Sequence, residues 1–388
     1  MIFKQTLSNF DPKKFLKLYW QKKPLLIKQG YPAFRNPLPA KKLLAIAGNP
    51  TAEARVILEK GGERAWELRH GPFTKNTFKR LPSSHWTLLV QGTNHWNKAL
   101  QLLLEDFYFI PQWRIEDIMT SFAVRGGNVG AHLDNYDVFL LQAEGRREWR
   151  IGTKPILEDD FLPDYEVKLL KHFAPTKTFI LEPGDILYLP PRIAHHGIAL
   201  DDNCITHSVG FRAPALPEIL DDYLTHLMCA IDPNLRYADP ELMLSKESGL
   251  INPKALNKII QLIQKNINNP AQIKRWFGQF VTQNKYSQLL QAGEEITLSE
   301  LKERINTGEQ LLKNAASRFS YIKEAKKIFL YANGEEYILP LSMLPIVQLI
   351  TAKTAVWQKE LPKMLSYKKF LELLVELVCA GHFYFSDV

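Results

Sequence analysis

The stretch VGAHLDNYDVF, residues 129–139, places a histidine and an aspartate two positions apart, at His132 and Asp134. On a strand, side chains two residues apart project from the same face, so this pair can share one ion. A lone pair of this kind is a weak signal, because a histidine and an aspartate at a strand end also make ordinary hydrogen bonds. The pair therefore indicates a metal site only if the fold brings a third ligand next to it.

A possible third ligand follows a second strand-like segment. Residues 182–191, EPGDILYLPP, read as a turn, a strand and a proline bend that lead to His195. His195 lies 63 residues after His132 (195 − 132), which leaves room for the intervening strands that a double-stranded β-helix requires. Two imidazoles and one carboxylate form the facial triad that suits non-haem iron(II), with positions left for a chelating keto acid and for dioxygen. His196 and His207 remain alternatives to His195.

A keto acid with a second carboxylate also needs a cation at its far end. Arg147 lies 15 residues after His132 (147 − 132), on the next predicted strand, and arginine can bind a carboxylate through two parallel hydrogen bonds. Strand alternation puts Arg147 and Trp149 on one face and three charged residues on the other, which predicts that the Arg147 face is interior. Arg146 and Arg150 remain alternatives, as does a solvated face for the whole run.

The region from residue 1 to residue 214 is predicted to be a β domain with flanking helices. Many short strands separated by Gly and Pro turns are typical of a sandwich or a barrel. Short apolar runs that read as buried strands are residues 86–91, 138–142 and 186–189. Flanking helices are predicted at residues 11–20 and 41–47.

Two further modules are predicted in the rest of the chain. Residues 215–292 contain little glycine, and apolar residues recur at helical spacing within 256–263, which predicts a helical module. That apolar stripe can pack internally or against another subunit. Residues 293–388 combine predicted helices with a hairpin at Asn333-Gly334, which indicates a winged-helix-like domain. The chain is thus predicted to be α+β.

Composition narrows the class of protein. The cysteines Cys204, Cys229 and Cys379 form no CxxC pair, so neither a cysteine zinc site nor a redox motif is supported, and a reducing compartment is expected. The sequence contains no signal peptide and no uncharged apolar run of about 18 residues, so a cytoplasmic protein without membrane contact is expected. The net charge of +8 fits an acidic or nucleic-acid-rich partner as well as a basic enzyme, which leaves direct nucleic-acid binding open.

The motifs above resemble the core of the bacterial JmjC ribosomal oxygenases. The similarity covers most of residues 1–214, and beyond residue 214 it rests on domain order. It is carried by FLKLYWQKKP at 15–24, by residues 129–139, by GRREWR at 145–150, by residues 182–191 and by SVGFRAP at 208–214. The resemblance implies a JmjC double-stranded β-helix, which is a cupin-like jelly roll, followed by a helical dimerisation domain and a C-terminal winged-helix domain. A homodimer is implied with them.

The same resemblance implies an activity and the residues that perform it. The expected enzyme is an iron(II)- and 2-oxoglutarate-dependent dioxygenase that hydroxylates Cβ of an arginine in a large-subunit (50S) ribosomal protein. The family's metal ligands fall on His132, Asp134 and His195, which favours His195 over its neighbour His196. The family's cation for 2-oxoglutarate falls on Arg147.

The remaining contacts implied by the resemblance are those of the substrate and of the far end of 2-oxoglutarate. The contacts with the substrate arginine fall on Asp117, Met119 and Tyr136. This set fits a guanidinium, which favours a carboxylate and flat or soft apolar walls. The segment 202–207 is one residue longer than the family pattern, so the resemblance does not single out a second contact with 2-oxoglutarate, and both Thr206 and Ser208 are candidates.

Two other functions stay open at the level of sequence. One is an oxygenase that acts on a histidine or a lysine of another protein. The other is a degenerate cupin that binds protein without catalysis, although the intact set of ligands and Arg147 disfavour it. Asp117 favours a cationic target side chain, but a single aspartate can equally well cap a helix.

Overall fold

The computed structural model consists of a β domain, a group of helices and a smaller C-terminal domain of helices and strands. It describes residues 7–60, 65–158, 160–163, 165–166, 168–290, 293–354 and 359–386.

The β domain contains two antiparallel sheets. The larger sheet has the strand order β1-β9-β6-β11-β5-β4-β2-β3, and the smaller has the order β10-β7-β8. The strands are β1 (Leu25–Ile27), β2 (Ala54–Glu59), β3 (Trp66–His70), β4 (Trp86–Val90), β5 (Ile115–Ala123), β6 (Val138–Glu144), β7 (Arg147–Ile151), β8 (Lys177–Leu181), β9 (Ile186–Leu189), β10 (His195–Ala199) and β11 (Cys204–Phe211). The helices beside them are α1 (Pro12–Leu18), α2 (Ala40–Ile46), α3 (Lys75–Lys79) and α4 (Lys98–Leu104).

Alternation along the central strands gives the larger sheet two different faces. On β6, Phe139 belongs to the main core, where aromatic rings from α1 and β9 also pack, and the Phe15 and Tyr188 centroids lie 4.8 Å apart. Val138 and Leu140 point the other way and join the apolar cluster of the smaller sheet. The central strands are therefore covered on both faces, which explains their nearly continuous apolar sequence.

The strands predicted at 86–91, 138–142 and 186–189 are confirmed, and so are the helices predicted near residues 11–20 and 41–47. The predicted alternation in residues 146–150 is confirmed as well. On β7, Arg147 and Trp149 are buried, whereas Arg150 is exposed.

A group of helices follows the β domain, formed by α5 (Leu216–Ala230), α6 (Pro253–Ile267) and α7 (Pro270–Thr282). Tyr223 of α5 packs against Trp276 of α7, with ring centroids 4.9 Å apart. The described residues leave the apolar stripe predicted on α6 largely uncovered. Its members Leu256 and Ile263 are each about half exposed, at 53% and 52%.

The C-terminal domain combines helices with two small sheets. Its elements are α8 (Leu298–Asn306), β12 (Leu311–Lys313), β13 (Phe319–Lys323), β14 (Lys327–Ala332), β15 (Glu335–Pro340), α9 (Leu344–Ile350), α10 (Lys368–Cys379) and β16 (Phe383–Phe385). The predicted hairpin is confirmed, since β14 and β15 pair across Asn333 and Gly334, which both have positive φ. Helix α7 packs on this sheet through Gly278, where no Cβ would fit beside the Tyr331 ring. The boundary at residues 292 and 293 stays a prediction.

Throughout the described residues, no helix combines the length and the apolar character needed to cross a lipid bilayer.

The turn between β8 and β9 provides a test of the fold. Gly184 has φ +93°, and a Cβ at this position would lie 2.2 Å from the Tyr31 carbonyl oxygen. We expect Gly184→Ala to lower the free energy of unfolding by about 2 kcal/mol or more, because strain of the backbone adds to the clash. Urea denaturation followed by circular dichroism measures the change. Gly249→Ala is the matched control, since its surroundings are open, and equal stability of the two variants would contradict the prediction.

Candidate active site

A cavity of about 370 Å³ lies between the two sheets of the β domain. Its walls are formed mainly by β4, β5, β6 and β11 of the larger sheet, by β7 and β10 of the smaller sheet, and by the loop before β6, with further residues from the segments after β11 and α7. Every site residue predicted from the sequence lines this cavity, namely Asp117, Met119, His132, Asp134, Tyr136, Arg147, His195, Thr206 and Ser208.

One group of side chains in the cavity has the composition and spacing of a metal site. The ligand atoms of His132, Asp134 and His195 all lie within 4.8 Å of one another. The His195 Nε2 atom is 3.6 Å from the Asp134 Oδ2 atom, and the two imidazole centroids are 4.2 Å apart. Two imidazoles and one carboxylate at this spacing can hold a single divalent ion on one face.

Hydrogen bonds set the tautomer of both histidines. The His132 Nδ1 atom lies 3.0 Å from the Gly130 carbonyl oxygen, and the His195 Nδ1 atom lies 2.9 Å from the Ile193 carbonyl oxygen. A carbonyl oxygen only accepts, so each Nδ1 carries the proton and each Nε2 presents its lone pair to the cavity. Burial, and next the neighbouring His132, lower the pKa of His195 to about 4, so its ring is neutral near pH 7. The residues therefore fit a metal ion.

The expectation that His132 and Asp134 lie on a strand is wrong. Residues 129–137 form a connection that carries only an isolated bridge, in which His132 pairs with His195. The His132 amide donates to the His195 carbonyl at 3.0 Å, and the His195 amide donates to the His132 carbonyl at 2.9 Å. Backbone pairing across the cavity therefore aligns the two histidines, in place of a regular strand.

The competing histidines face away from this group. His196 lies 3.1 Å from the Asn128 Oδ1 atom, on the opposite side of β10 from His195. His207 is buried in the main core between Thr120 and Asn36, and burial lowers its pKa to about 3. Strand alternation puts His195 and His196 on opposite faces of β10, the family resemblance chose His195 between them, and the placement of His207 required the structure.

Arg147 supplies a buried cation to the same cavity. The residue is 3% exposed, and among the described residues its Nε and Nη2 atoms have no hydrogen-bond partner. Its guanidinium lies 5.8 Å from the centroid of Trp149. A buried guanidinium with free donors fits a ligand carboxylate, because an unsatisfied buried charge is costly. The alternatives Arg146 and Arg150 are exposed and form ion pairs on the outside, with Asp201 and Glu148.

The part of β11 that lines the cavity carries the two hydroxyl groups predicted for a second contact. Thr206 is buried and donates to the Gln142 Oε1 atom at 2.9 Å. Ser208 is also buried and lines the cavity. Trp149 adds an indole Nε1 that is buried and has no partner among the described residues, a donor that the sequence interpretation missed.

A carboxylate lies on the β5 wall of the cavity. Asp117 is on β5 and only 2% exposed, so its alternative role as a helix cap is wrong. Gln91 donates through Nε2 to both Asp117 oxygens at 3.0 Å, and the Tyr286 hydroxyl donates to Asp117 Oδ2. Burial raises the pKa of Asp117 above its usual range. No described lysine, arginine or histidine forms an ion pair with this carboxylate.

Met119 and Tyr136 stand beside Asp117 in the lining of the cavity. Met119 follows Asp117 by two residues on β5, so both side chains are on the same face. Tyr136 is 42% exposed at the mouth of the cavity, and the adjacent Asp134 carboxylate raises the pKa of its hydroxyl.

Sequence reasoning missed the residues that hold Asp117 in place. Gln91 follows the end of β4, and Tyr286 follows α7, so neither belongs to the motifs near the predicted metal ligands. Tyr286 is 169 residues from Asp117 (286 − 117). No local pattern could have indicated this contact, because it depends on how the helical group docks on the β domain.

Comparisons with known proteins agree with this fold and cavity. A family model described as a JmjC domain matches residues 102–219, and one described as a ROXA-like winged helix matches residues 262–384. The chain is 32% identical to the ribosomal protein uL16 3-hydroxylase of Escherichia coli, over 96% of this chain and 97% of that protein. It is 31% identical to a probable ribosomal oxygenase of Haemophilus influenzae, over 84% of this chain and 82% of that protein.

Solved structures show the same similarity. The crystal structure of E. coli YcfD superimposes with a TM-score of 0.86 at 31% identity, over 99% of this chain and 100% of that one. A structure of E. coli YcfD in complex with cobalt and 2-oxoglutarate superimposes with a TM-score of 0.84 at 30% identity, over the same shares of the two chains. The predicted α+β class, with a JmjC domain before a winged helix, is thereby confirmed. With this identity over nearly its whole length, and with a cavity suited to a metal and a dicarboxylate, the chain belongs to the family of JmjC ribosomal oxygenases, which are 2-oxoglutarate-dependent dioxygenases.

Proposed function

We propose that this protein hydroxylates Cβ of an arginine in a large-subunit ribosomal protein, using iron(II), 2-oxoglutarate and dioxygen. The observation that carries the proposal is one cavity that contains two buried charges, the Arg147 cation and the Asp117 anion, neither of which forms an ion pair with a described residue, and that is lined also by the His-Asp-His group. The name of the E. coli relative, which describes 3-hydroxylation of ribosomal protein uL16, supports this substrate class. A ribosomal substrate would place the reaction in the cytoplasm.

In this proposal His132, Asp134 and His195 hold the iron(II). When bound, iron(II) supplies the activation of dioxygen that is coupled to decarboxylation of 2-oxoglutarate to succinate. The protein contributes geometry: the backbone pairing of the two histidines fixes their rings, and their Nδ1 hydrogen bonds keep both Nε2 lone pairs available.

Arg147 binds the distal carboxylate of 2-oxoglutarate in this scheme. Its free Nε and Nη2 donors form the side-on fork that can donate two parallel hydrogen bonds to a carboxylate. Thr206 and Ser208 are proposed as the second contact, since both side chains line the same wall. Ser208 can donate directly, whereas Thr206 would have to turn its hydroxyl away from the Gln142 Oε1 atom to donate to the carboxylate. The apolar walls at Val138, Leu140 and Trp149 keep water from this end of the cavity, which strengthens the ion pair.

Asp117, Met119 and Tyr136 are proposed to orient the target side chain. A guanidinium can bind the Asp117 carboxylate while its flat face contacts Met119 and the Tyr136 ring. Such contacts hold Cβ beside the metal, and a misplacement of about 1 Å can cost about 100-fold in rate. The buried charge of Asp117 favours arginine over a neutral histidine. A lysine target remains the alternative, because an ammonium also satisfies a carboxylate.

The substrate can be identified by mass. We expect a ribosomal protein to gain one oxygen when it is incubated with the iron(II)-loaded protein and 2-oxoglutarate, and we expect peptide fragmentation to place that oxygen on an arginine Cβ. Ribosomal proteins are isolated from cells that lack the enzyme. One portion is the substrate, and a second, untreated portion is the reference. An oxygen on lysine or histidine would select the alternative target, and no gain on any ribosomal protein would refute the proposal.

The metal ligands can be tested through Asp134. We expect Asp134→Ala to abolish succinate production and to weaken iron(II) binding, because only two neutral ligands remain. The free energy of unfolding of the metal-free protein should change little, since Asp134 is partly exposed in a connecting loop. Asp201→Ala is the matched control, because this carboxylate pairs with Arg146 on the outside. Wild-type turnover by the Asp134 variant would remove it from the ligand set.

The 2-oxoglutarate contact can be tested through Arg147. We expect Arg147→Met to raise the KM for 2-oxoglutarate by about 10- to 100-fold, since a hydrogen bond to a charged group contributes about 1.5–3 kcal/mol. Assays at several 2-oxoglutarate concentrations, read as succinate formed, measure this change. Arg150→Met is the control, because Arg150 is exposed and paired with Glu148. An unchanged KM in the Arg147 variant would exclude this contact.

We also propose that the protein is a homodimer formed through the helical group. Exposed apolar side chains occur on both α5 and α6, and they are Leu216, Leu220, Leu224, Met228, Leu256, Ile259, Ile260, Ile263 and Ile267. An exposed apolar surface of this extent is typical of an interface. It supports packing of the α6 stripe against another subunit, which is one of the two arrangements that the sequence left open.

The dimer can be tested on α6. We expect Ile260→Glu to convert a dimer to a monomer in light scattering, because a carboxylate would be buried without a partner at the interface. Gln261→Glu introduces the same charge one residue later, at an exposed position outside the apolar stripe, and should leave the dimer intact. A monomeric wild type, or a dimer that tolerates Ile260→Glu, would contradict the proposal.

A further inference from the structure

We infer that Tyr286, which follows the helical group in sequence, is a positioning residue for substrate recognition in the JmjC domain. It acts by fixing the Asp117 carboxylate with its charge left for the substrate cation. The inference rests on the proposed function, because it assigns a role within the proposed recognition of arginine.

The hydrogen bonds of Asp117 come from neutral donors. Gln91 donates to both carboxylate oxygens at 3.0 Å, and the Tyr286 hydroxyl donates to Oδ2. These donors set the plane of the carboxylate and stabilise its ionised form without neutralising its charge. A lysine or arginine in place of Tyr286 would form an internal ion pair and would compete with a cationic substrate.

Glu116, the carboxylate next to Asp117 in sequence, differs from Asp117 in its ion pairs. Glu116 forms ion pairs at 3.0 Å with both Arg212 and Lys285, so its charge is neutralised within the protein. Asp117, the next residue, lines the same cavity but has no such partner among the described side chains. Lys285, the residue before Tyr286, is therefore directed to Glu116, whereas Tyr286 is directed to Asp117.

Tyr286 is held in place from three sides. Its ring lies 4.6 Å from the His95 ring, measured between centroids, and a Cβ at Gly92 would come within 3.2 Å of it. Its amide donates to the Asn284 side chain at 2.8 Å, and that side chain donates to the Ala316 carbonyl at 2.5 Å. The β domain and the C-terminal domain thus both fix the position of the hydroxyl.

The hydroxyl of Tyr286 remains a donor at every ordinary pH. Burial, and next the charge of Asp117, raise the pKa of Tyr286 well above its usual value. The contact therefore keeps one direction, from tyrosine to carboxylate. Because it spans 169 residues (286 − 117), the substrate-binding end of the cavity is complete only when the helical group has docked.

The test uses Tyr286→Phe in the full chain, which removes the hydroxyl and keeps the ring against Gly92 and His95. The probe is an arginine-containing peptide of ribosomal protein uL16, the protein named in the description of the E. coli relative. We expect the KM for this peptide to rise about tenfold, as for loss of a hydrogen bond to a charged group, with kcat within about twofold. Succinate formation without peptide should equal that of the wild type. Tyr223→Phe is the matched control, since its hydroxyl bonds the Ile267 carbonyl outside the cavity.

A double-mutant cycle separates positioning from a merely structural role. Peptide binding is measured under nitrogen by fluorescence anisotropy, with iron(II) and 2-oxoglutarate present, so that no turnover is needed. We expect Tyr286→Phe to weaken binding about tenfold in the wild-type background and by less than about twofold in the Asp117→Asn background.

The outcomes distinguish this inference from the proposed function. Equal losses in the two backgrounds, or no loss in either, would overturn the role of Tyr286 while leaving peptide hydroxylation by the wild type intact. Failure of the wild-type enzyme to hydroxylate any ribosomal peptide would instead overturn the proposed function and the inference with it.

Discussion

The arrangement of the cavity depends on one short contact, the mutual backbone pairing of His132 and His195. One residue belongs to the connection between β5 and β6, and the other begins β10 of the smaller sheet. Their two amide–carbonyl hydrogen bonds join the sheets at the cavity and bring both imidazoles together with Asp134. Since each ring is also fixed through its Nδ1 atom, little side-chain freedom remains to be lost when a metal binds.

The cavity also contains two buried charges of opposite sign. A buried guanidinium at Arg147 and a buried carboxylate at Asp117 both lack an ion-pair partner among the described residues, although the protein pairs nearby charges such as Glu116. Leaving a buried charge unpaired costs stability, and a ligand of opposite charge recovers that free energy. The two charges thus favour a ligand carboxylate at one position and a ligand cation at another. This division matches the proposed co-substrate and the proposed arginine target.

Much of the fold and of the proposed site could be predicted because the relevant signals are local. Strand alternation, with a period of two residues, placed Arg147 and Trp149 on the interior face and showed that His195 and His196 cannot both face the metal. The Asn333-Gly334 pair determined a hairpin through its tolerance of positive φ. Residue chemistry, two imidazoles with a carboxylate, indicated a ferrous site, and the resemblance to the JmjC ribosomal oxygenases selected His195 as its third ligand.

The sequence by itself therefore determined several of the strands and helices, the faces of those strands and the types of ligand. The tertiary structure decided what depends on packing between distant segments: that His132 is held by a bridge and not by a strand, that the α6 stripe is exposed, and that Tyr286 contacts Asp117. The physical reason is the separation along the sequence over which each kind of interaction acts. Periodicity and turn chemistry act over a few residues, whereas a contact across 169 residues (286 − 117) exists only after the helical group packs on the β domain.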